Sequence, residues 1–165
     1  MGEFYYARAR DGSALIRQEF NRPGVRILTI KAGVGLLYQP TLNQAQEFNL
    51  GKNRDKAEFI ALGIGQSPGK LQQNFDIQYV GVENIGADSC SILTLKPKSA
   101  ATAAYFSLIT LWVKKTNGIP LQEKLQEPAG DYQLITFSEE KLNSKIPESK
   151  FEQKLPKNVE IQKIQ

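Results

Sequence analysis

The sequence contains no histidine and only one cysteine, Cys90, among its 165 residues. Without histidine, a Ser-His-Asp triad, a Cys-His catalytic pair and a histidine-ligated zinc site are excluded. A single cysteine excludes an internal disulfide and any cysteine-rich metal site. Cys90 begins an apolar run, where a thiol that lacks a neighbouring base is expected to be a small buried side chain. We therefore expect no metal and no cofactor, and no constellation of residues indicates an enzyme.

Long hydrophobic runs are absent as well. No apolar stretch reaches the ~18–20 residues that a membrane-spanning helix needs, and the longest, over 100–113, is interrupted by Thr102, Ser107 and Thr110. The N-terminus lacks the basic segment and apolar stretch of a secretory signal. We expect a chain that does not span the membrane and that, if exported, is a mature or truncated form.

The excess of positive charge is small, because 17 acidic residues offset most of the 21 lysines and arginines and leave a net charge of +4. The lysines between 141 and 157 alternate with acids and lack the interleaved aromatic residues of nucleic-acid-binding surfaces. Glu139 and Glu140 are adjacent acids in a turn, which favours a solvated pair over a catalytic one. We expect no nucleic-acid partner.

What the sequence does contain is a series of short alternating runs, separated by turn residues about every ten positions. Asn117-Gly118 is the strongest hairpin signal among those turns. Helical spacing occurs over 54–63, and Ser67-Pro68 opens a second short helix over 69–75. About ten strands with two short helices predict a mainly β (α+β) fold. The absence of linkers and repeats predicts a single domain over 1–165.

Large apolar side chains outnumber what two short helices could cover. For any one of them, an ordinary core is the simplest interpretation, whereas a curved sheet closed by helices would enclose an apolar cavity. Alternation places Leu93 with Leu95 on one face, and likewise Leu111 with Val113, while Trp112 offers a rival apolar face. The pattern alone leaves both the cavity and the choice of face open.

Several motifs, taken in order, resemble the LolA family of periplasmic outer-membrane lipoprotein carriers. That family has an Arg-Pro pair, a strand, an Asp-Gly turn, an aromatic strand and a Tyr-x-Pro end, followed later by an L-x-L-x-P strand end and a closing aromatic-to-proline segment. The similarity covers nearly all of the chain. The motifs that carry it are Arg22-Pro23-Gly24, Ala32-Gly33, Leu36-Leu37-Tyr38-Gln39-Pro40, Leu93-Thr94-Leu95-Lys96-Pro97, Leu111-Trp112-Val113, Thr116-Asn117-Gly118-Ile119-Pro120, Gly130-Asp131-Tyr132, and Phe151 with Pro156.

The resemblance implies a curved antiparallel sheet that forms an incomplete barrel with a helical lid. Its cavity would receive the acyl chains of lipoproteins, or a related lipid, from an inner-membrane release complex and pass them to an outer-membrane acceptor. It also implies a periplasmic, monomeric protein without bond chemistry. A LolA-like sensing or interaction module of the cell envelope, binding a protein or lipid signal, is the alternative.

The resemblance also implies roles for individual residues. Arg22 would hydrogen-bond lid carbonyls and act as a latch, although a solvated turn arginine is the simpler interpretation. We expect the helix over 54–63 to be a movable lid. The candidate cavity residues are Leu37, Phe48, Phe59, Ile60, Phe75, Leu93, Leu95, Leu111, Val113 and Phe137.

Two departures from the family pattern stand out. Nothing ahead of Phe4 could form the family's N-terminal helix, so we expect a chain truncated at its N-terminus. Ala32 also stands where the family has aspartate in its turn.

Overall fold

The computed structural model describes residues 1–22, 24–50 and 68–164. These residues are mostly strand, and the strands form one six-stranded and one five-stranded sheet. Neither sheet is closed into a barrel, so each has two edge strands. The predicted fold class, mainly β with short helices and an incomplete barrel, is confirmed. The helix expected over 54–63, with Phe59 and Ile60, lies outside the described residues.

The chain divides into two compact units, Met1–Gly65 with Asn143–Gln165, and Gln66–Leu142. Each unit contains one of the sheets. The expected single domain over 1–165 stays a prediction.

The first unit is a meander of five antiparallel strands joined by a late sixth strand. The order across the sheet is β1-β2-β3-β4-β5-β11, and β11 pairs parallel to β5. Short 3-10 turns occupy Pro40–Leu42 and Glu148–Phe151. The strands are β1 (Gly2–Arg8), β2 (Ala14–Phe20), β3 (Arg26–Lys31), β4 (Val34–Gln39), β5 (Gln44–Asn49) and β11 (Glu160–Ile164).

One face of this first sheet carries an apolar cluster. Ile16 and Ile30 are cross-strand partners at its centre and are buried, together with Leu50. On β4 and β5, Gly35 is the partner of Phe48, and the aromatic ring lies over the glycine, where a side chain would collide with it. Around the buried centre pack the partly buried side chains of Phe4, Tyr6, Ala14, Leu28 and Phe48.

The opposite face of the first sheet is covered by residues 147–156, which we call the C-terminal strap. Phe151 in this strap is only 1% exposed, and the buried Thr29 on the sheet donates a hydrogen bond from its Oγ1 to the Gln153 side chain at 3.2 Å. Arg17 Nη1 donates hydrogen bonds to the carbonyl oxygens of Lys150 and Glu152, at 3.4 and 3.3 Å. The strap therefore fills this face with one apolar anchor surrounded by polar contacts.

The second unit is an antiparallel sheet with the order β10-β9-β8-β7-β6. The predicted Asn117-Gly118 turn joins β8 to β9, with Gly118 in a left-handed conformation and the Asn117 side chain accepting from the Ile119 amide. The elements are α1 (Pro68–Asn74), β6 (Phe75–Ile85), β7 (Asp88–Pro97), α2 (Ala100–Ala103), β8 (Leu108–Lys114), β9 (Pro120–Gln126) and β10 (Tyr132–Thr136).

The helix α1 agrees with the prediction for 69–75, except that Phe75 begins β6 instead of ending the helix. The short helix α2 was not predicted. Ser99 caps it, since its Oγ accepts a hydrogen bond from the Thr102 amide at 3.2 Å.

Candidate functional site

The most extensive apolar surface of the second unit is one face of its sheet. Leu93 on β7 is the partner of Leu111 on β8, and Leu95 is the partner of Ile109. Cross-strand partners point to the same side of a sheet, so these four side chains share one face. Leu95, Ile109 and Leu111 are at most 2% exposed, whereas Leu93 is half-buried.

The same face continues onto the neighbouring strands. Ile77 on β6 is the partner of Leu95, Leu125 on β9 is the partner of Ile109, and Ile135 on β10 lies opposite β9 at the same level as Leu111. The apolar surface therefore crosses all five strands. We call it the apolar wall, and its residues are Ile77, Leu93, Leu95, Ile109, Leu111, Val113, Leu125 and Ile135.

The opposite face of this sheet is mixed, with Ile92 paired to Trp112 and a buried Cys90 beside polar residues. Thr94 and Thr110 are cross-strand partners there, and Thr110 is in turn the partner of Lys124. Trp112, which offered a rival apolar face in the sequence, donates its indole N–H to the Glu83 carboxylate at 2.7 Å. The wall and the tryptophan therefore lie on different faces.

One carboxyl group interrupts the apolar wall. Glu123 is the partner of Leu111 on one side and of Ile135 on the other, and it is only 4% exposed. Burial raises the pKa of Glu123 to about 8, so the group is mostly neutral at pH 7. Sequence reasoning missed this residue, although its spacing from Leu125, two positions on, places both on one face of a strand.

The remaining candidate cavity residues are distributed over both units. Phe75, at the start of β6, is 2% exposed, and Phe137 is half-buried just beyond β10. Leu37 and Phe48 are half-buried on the first sheet. Their roles in binding stay predictions.

Arg22, the predicted latch, is exposed in the loop between β2 and β3. Its role as a latch therefore also stays a prediction.

Cys90 is the thiol that the sequence predicts to be a small buried side chain. Cys90 is fully buried, and burial raises the pKa of its thiol, which disfavours the reactive thiolate. Within the described ranges, no three His, Cys, Asp or Glu side chains lie close enough together to hold a metal ion. Nor does any described helix have both the length and the apolar character to cross a membrane.

No protein-family model matches the chain, and no curated protein does. Among solved structures, an uncharacterized conserved protein from Thermus thermophilus is similar over 99% of this chain and 83% of its own, at 16% identity and a TM-score of 0.56. The two chains share a fold. At this identity the likeness extends to the fold alone.

Two weaker likenesses have TM-scores below 0.5. The MucA/MucB complex of Pseudomonas aeruginosa matches 93% of this chain at 14% identity, with a TM-score of 0.46. The chain spans 50% of the matched chain in that complex. A LolA superfamily protein from Nitrosomonas europaea matches 78% of this chain and 63% of its own, at 13% identity and a TM-score of 0.34. The fold that the sequence motifs predict is consistent with the open, mainly β architecture described above.

Proposed function

We propose that this protein is a periplasmic carrier that binds the acyl chains of lipoproteins, or of a related lipid, and transfers them from the inner to the outer membrane. It does so without bond chemistry and as a monomer. Its partners are the acylated cargo, an inner-membrane release complex and an outer-membrane acceptor. The observation that carries this proposal is the apolar wall on the second sheet.

The wall suits an acyl chain because it is broad and continuous. Eight apolar side chains follow one another across five strands, and the half-buried ones, such as Leu93 and Val113, leave part of the surface accessible. Each methylene group that leaves water for such a surface contributes ~0.8 kcal/mol. A chain of several methylenes would therefore bind without a strong polar anchor, and it could still be released to an acceptor.

A matched pair of variants tests whether the wall binds acyl chains. Leu93 and Thr94 are neighbours on β7, both half-buried, and they point to opposite faces. Leu93→Lys places an ammonium group on the wall, where desolvation of an unpaired charge costs several kcal/mol. Thr94→Lys places the same group on the opposite face, beside Thr110, and serves as the control.

The measurement is the affinity of the full chain for a fluorescent acyl-chain probe, with circular dichroism to verify the fold of each variant. We expect Leu93→Lys to weaken binding at least about tenfold, equivalent to ~1.4 kcal/mol, and Thr94→Lys to leave it unchanged. Equal affinities for the two folded variants would exclude the wall as the binding surface.

A sensing or interaction module that binds a protein is the second candidate function. It is favoured by exposed apolar side chains on β6, an edge strand of the second sheet, where Tyr79, Val80 and Val82 are 64%, 60% and 47% exposed. An exposed strand edge can accept an extended partner segment. If the acyl probe does not bind the wild-type chain while a Val80→Lys change disrupts a protein complex, this second function is the correct one.

A further inference from the structure

The single acidic residue on the apolar wall is buried among apolar side chains. Glu123 is 4% exposed, and its cross-strand neighbours are the apolar Leu111 and Ile135. Burial is the sole cause of its raised pKa, with no hydrogen bond and no neighbouring charge contributing. A carboxyl group is costly to bury among apolar side chains, so its position at the centre of a sheet face requires an explanation.

No charged group of the neighbouring strands faces Glu123. On β8 and β10 the described residues of the same face are apolar, apart from the neutral Gln133. Lys124 and Lys114 lie on the opposite face, and Lys114 forms an ion pair there with Glu140. The titratable Tyr79 shares the face of the wall but lies on the far edge strand β6. The environment therefore favours the neutral carboxylic acid over the carboxylate.

A neutral carboxylic acid presents one O–H donor on this surface. Its complement in an apolar site is a neutral acceptor, such as the carbonyl oxygen of an ester. An ammonium group fits poorly, because it has three N–H donors and the wall offers one polar side chain to accept them. It would also form an ion pair with the Glu123 carboxylate, and burying that pair requires the desolvation of both charges. An alkyl chain that carries an ester carbonyl satisfies both the wall and the acid.

We propose that Glu123 is the polar anchor of the wall and that its protonated carboxyl donates a hydrogen bond to the carbonyl oxygen of an ester-linked acyl chain. This inference rests on the proposed function, since it assigns the ligand class of the same surface. The wall provides affinity for the hydrocarbon, whereas Glu123 provides selectivity for acyl esters over other alkyl chains. It also sets the position of the chain along β9.

Two ligands of equal length separate these contributions, namely a methyl ester of a fatty acid and the matched methyl ether, which has no carbonyl oxygen. Their affinities for the full chain are measured by displacement of a fluorescent acyl probe. We expect the wild-type chain to prefer the ester about three- to tenfold, the range of one net hydrogen bond. Glu123→Leu should abolish the preference and keep the affinity for the ether, while Glu123→Gln, which retains a donor, should keep the preference.

The dependence on pH provides a second readout that does not require the leucine variant to fold. As pH rises through about 8, the wild-type carboxyl loses its proton and the ester preference should disappear, because a carboxylate cannot donate. The preference of Glu123→Gln should stay constant over the same range.

The outcomes separate the inference from the proposed function. Binding of both ligands with equal affinity to the wild-type chain would overturn the role of Glu123 and leave the carrier intact. The role of Glu123 is also overturned if the folded Glu123→Leu variant keeps the preference, or if the wild-type preference is independent of pH. Binding of neither ligand would overturn the proposed function and the inference with it.

Discussion

Ala32 is a residue whose backbone conformation conflicts with its side chain. Its φ is 51° and that of Gly33 is 77°, and the pair forms the two-residue turn between β3 and β4. Turns with two positive φ values prefer Asn-Gly or Asp-Gly, because a Cβ atom in the left-handed region costs about 1–2 kcal/mol. Ala32 in this turn is therefore a site of local strain.

We expect Ala32→Asn to raise the free energy of unfolding by about 0.5–1 kcal/mol, because asparagine tolerates the left-handed conformation better than alanine. Urea denaturation measures this change. Gly33→Ala is the opposite control, since it adds a Cβ at a second positive φ and should destabilise the protein. A loss of stability in Ala32→Asn would show that the turn is not strained at this position.

Glu123 makes the stability of the protein depend on pH. Burial raises its pKa from the ordinary value of 4.5 to about 8. Between these values the unfolded chain loses the proton while the folded chain keeps it, so stability falls as pH rises, by up to roughly 5 kcal/mol. Below pH 4.5 both states are protonated and this penalty is absent.

We expect Glu123→Gln to remove this part of the pH dependence. The free energy of unfolding of the wild type should fall between pH 5 and pH 8, whereas that of the variant should fall less. Chemical denaturation at both pH values measures the difference. Glu139, exposed after β10, provides the control, because Glu139→Gln changes a carboxyl group outside the wall and should leave the slope intact. A wild-type slope that persists in Glu123→Gln would mean that the carboxyl is solvated in the folded chain.

At the scale of single elements, strands and turns were largely predictable from the sequence. Short runs bounded by Gly, Pro and Asn identify β2, β4, β5 and the β8–β9 hairpin, since these features act over a few residues. The parallel pairing of β11 with β5 was not predictable, because no local signal at 160–164 specifies a partner more than a hundred residues earlier in the chain. The helix α2 escaped prediction because four residues are too few to establish a helical period.

The candidate site was predictable in part. Alternation places Leu93 with Leu95 and Leu111 with Val113, and the register confirms that grouping. Which face is the buried one required the structure, since Trp112 is as large and apolar in the sequence as its neighbours. Glu123 was missed because an acidic residue in a strand is usually solvated, and its burial arises only from the pairing with β8 and β10.

The C-terminal strap of the first unit offers a comparison between an apolar and a charged contact. Phe151 is 1% exposed, whereas Glu152 is exposed and bonds to Lys31 at 2.8 Å. The carboxylates of Glu152 and Glu148 raise the pKa of Lys31, but both glutamate side chains are exposed to solvent. The strap is therefore held mainly by the buried phenylalanine.

We expect Phe151→Ala to lower the free energy of unfolding by about 3–5 kcal/mol, because it removes a buried aromatic side chain and leaves a cavity. Glu152→Gln should have a small effect, since it loses only an exposed ion pair. Thermal denaturation compares the two variants. If Glu152→Gln proved the more damaging change, polar contacts and not Phe151 would hold the strap.

At the scale of the molecule, both units use the same design, an open sheet with one distinctly apolar face. The first unit covers its other face with the strap, whereas the opposite face in the second unit mixes polar side chains with Ile92 and Trp112. A protein that only needed a core would fill its sheets with interdigitated side chains. The wall combines a fully buried centre, Leu95, Ile109 and Leu111, with half-buried residues such as Leu93 and Val113 at its margins, and the proposed ligand surface rests on these margins.

Native mass spectrometry of the full chain, purified from the envelope of its own source, tests most directly whether the wall binds acyl chains. We predict that the wild-type protein carries an additional mass that corresponds to an acylated lipid and is released on gas-phase activation. Thr94→Lys should retain this mass and Leu93→Lys should lose it. The wild-type protein without any lipid mass, or the same lipid on both variants, would contradict the assignment of the apolar wall as a lipid-binding surface.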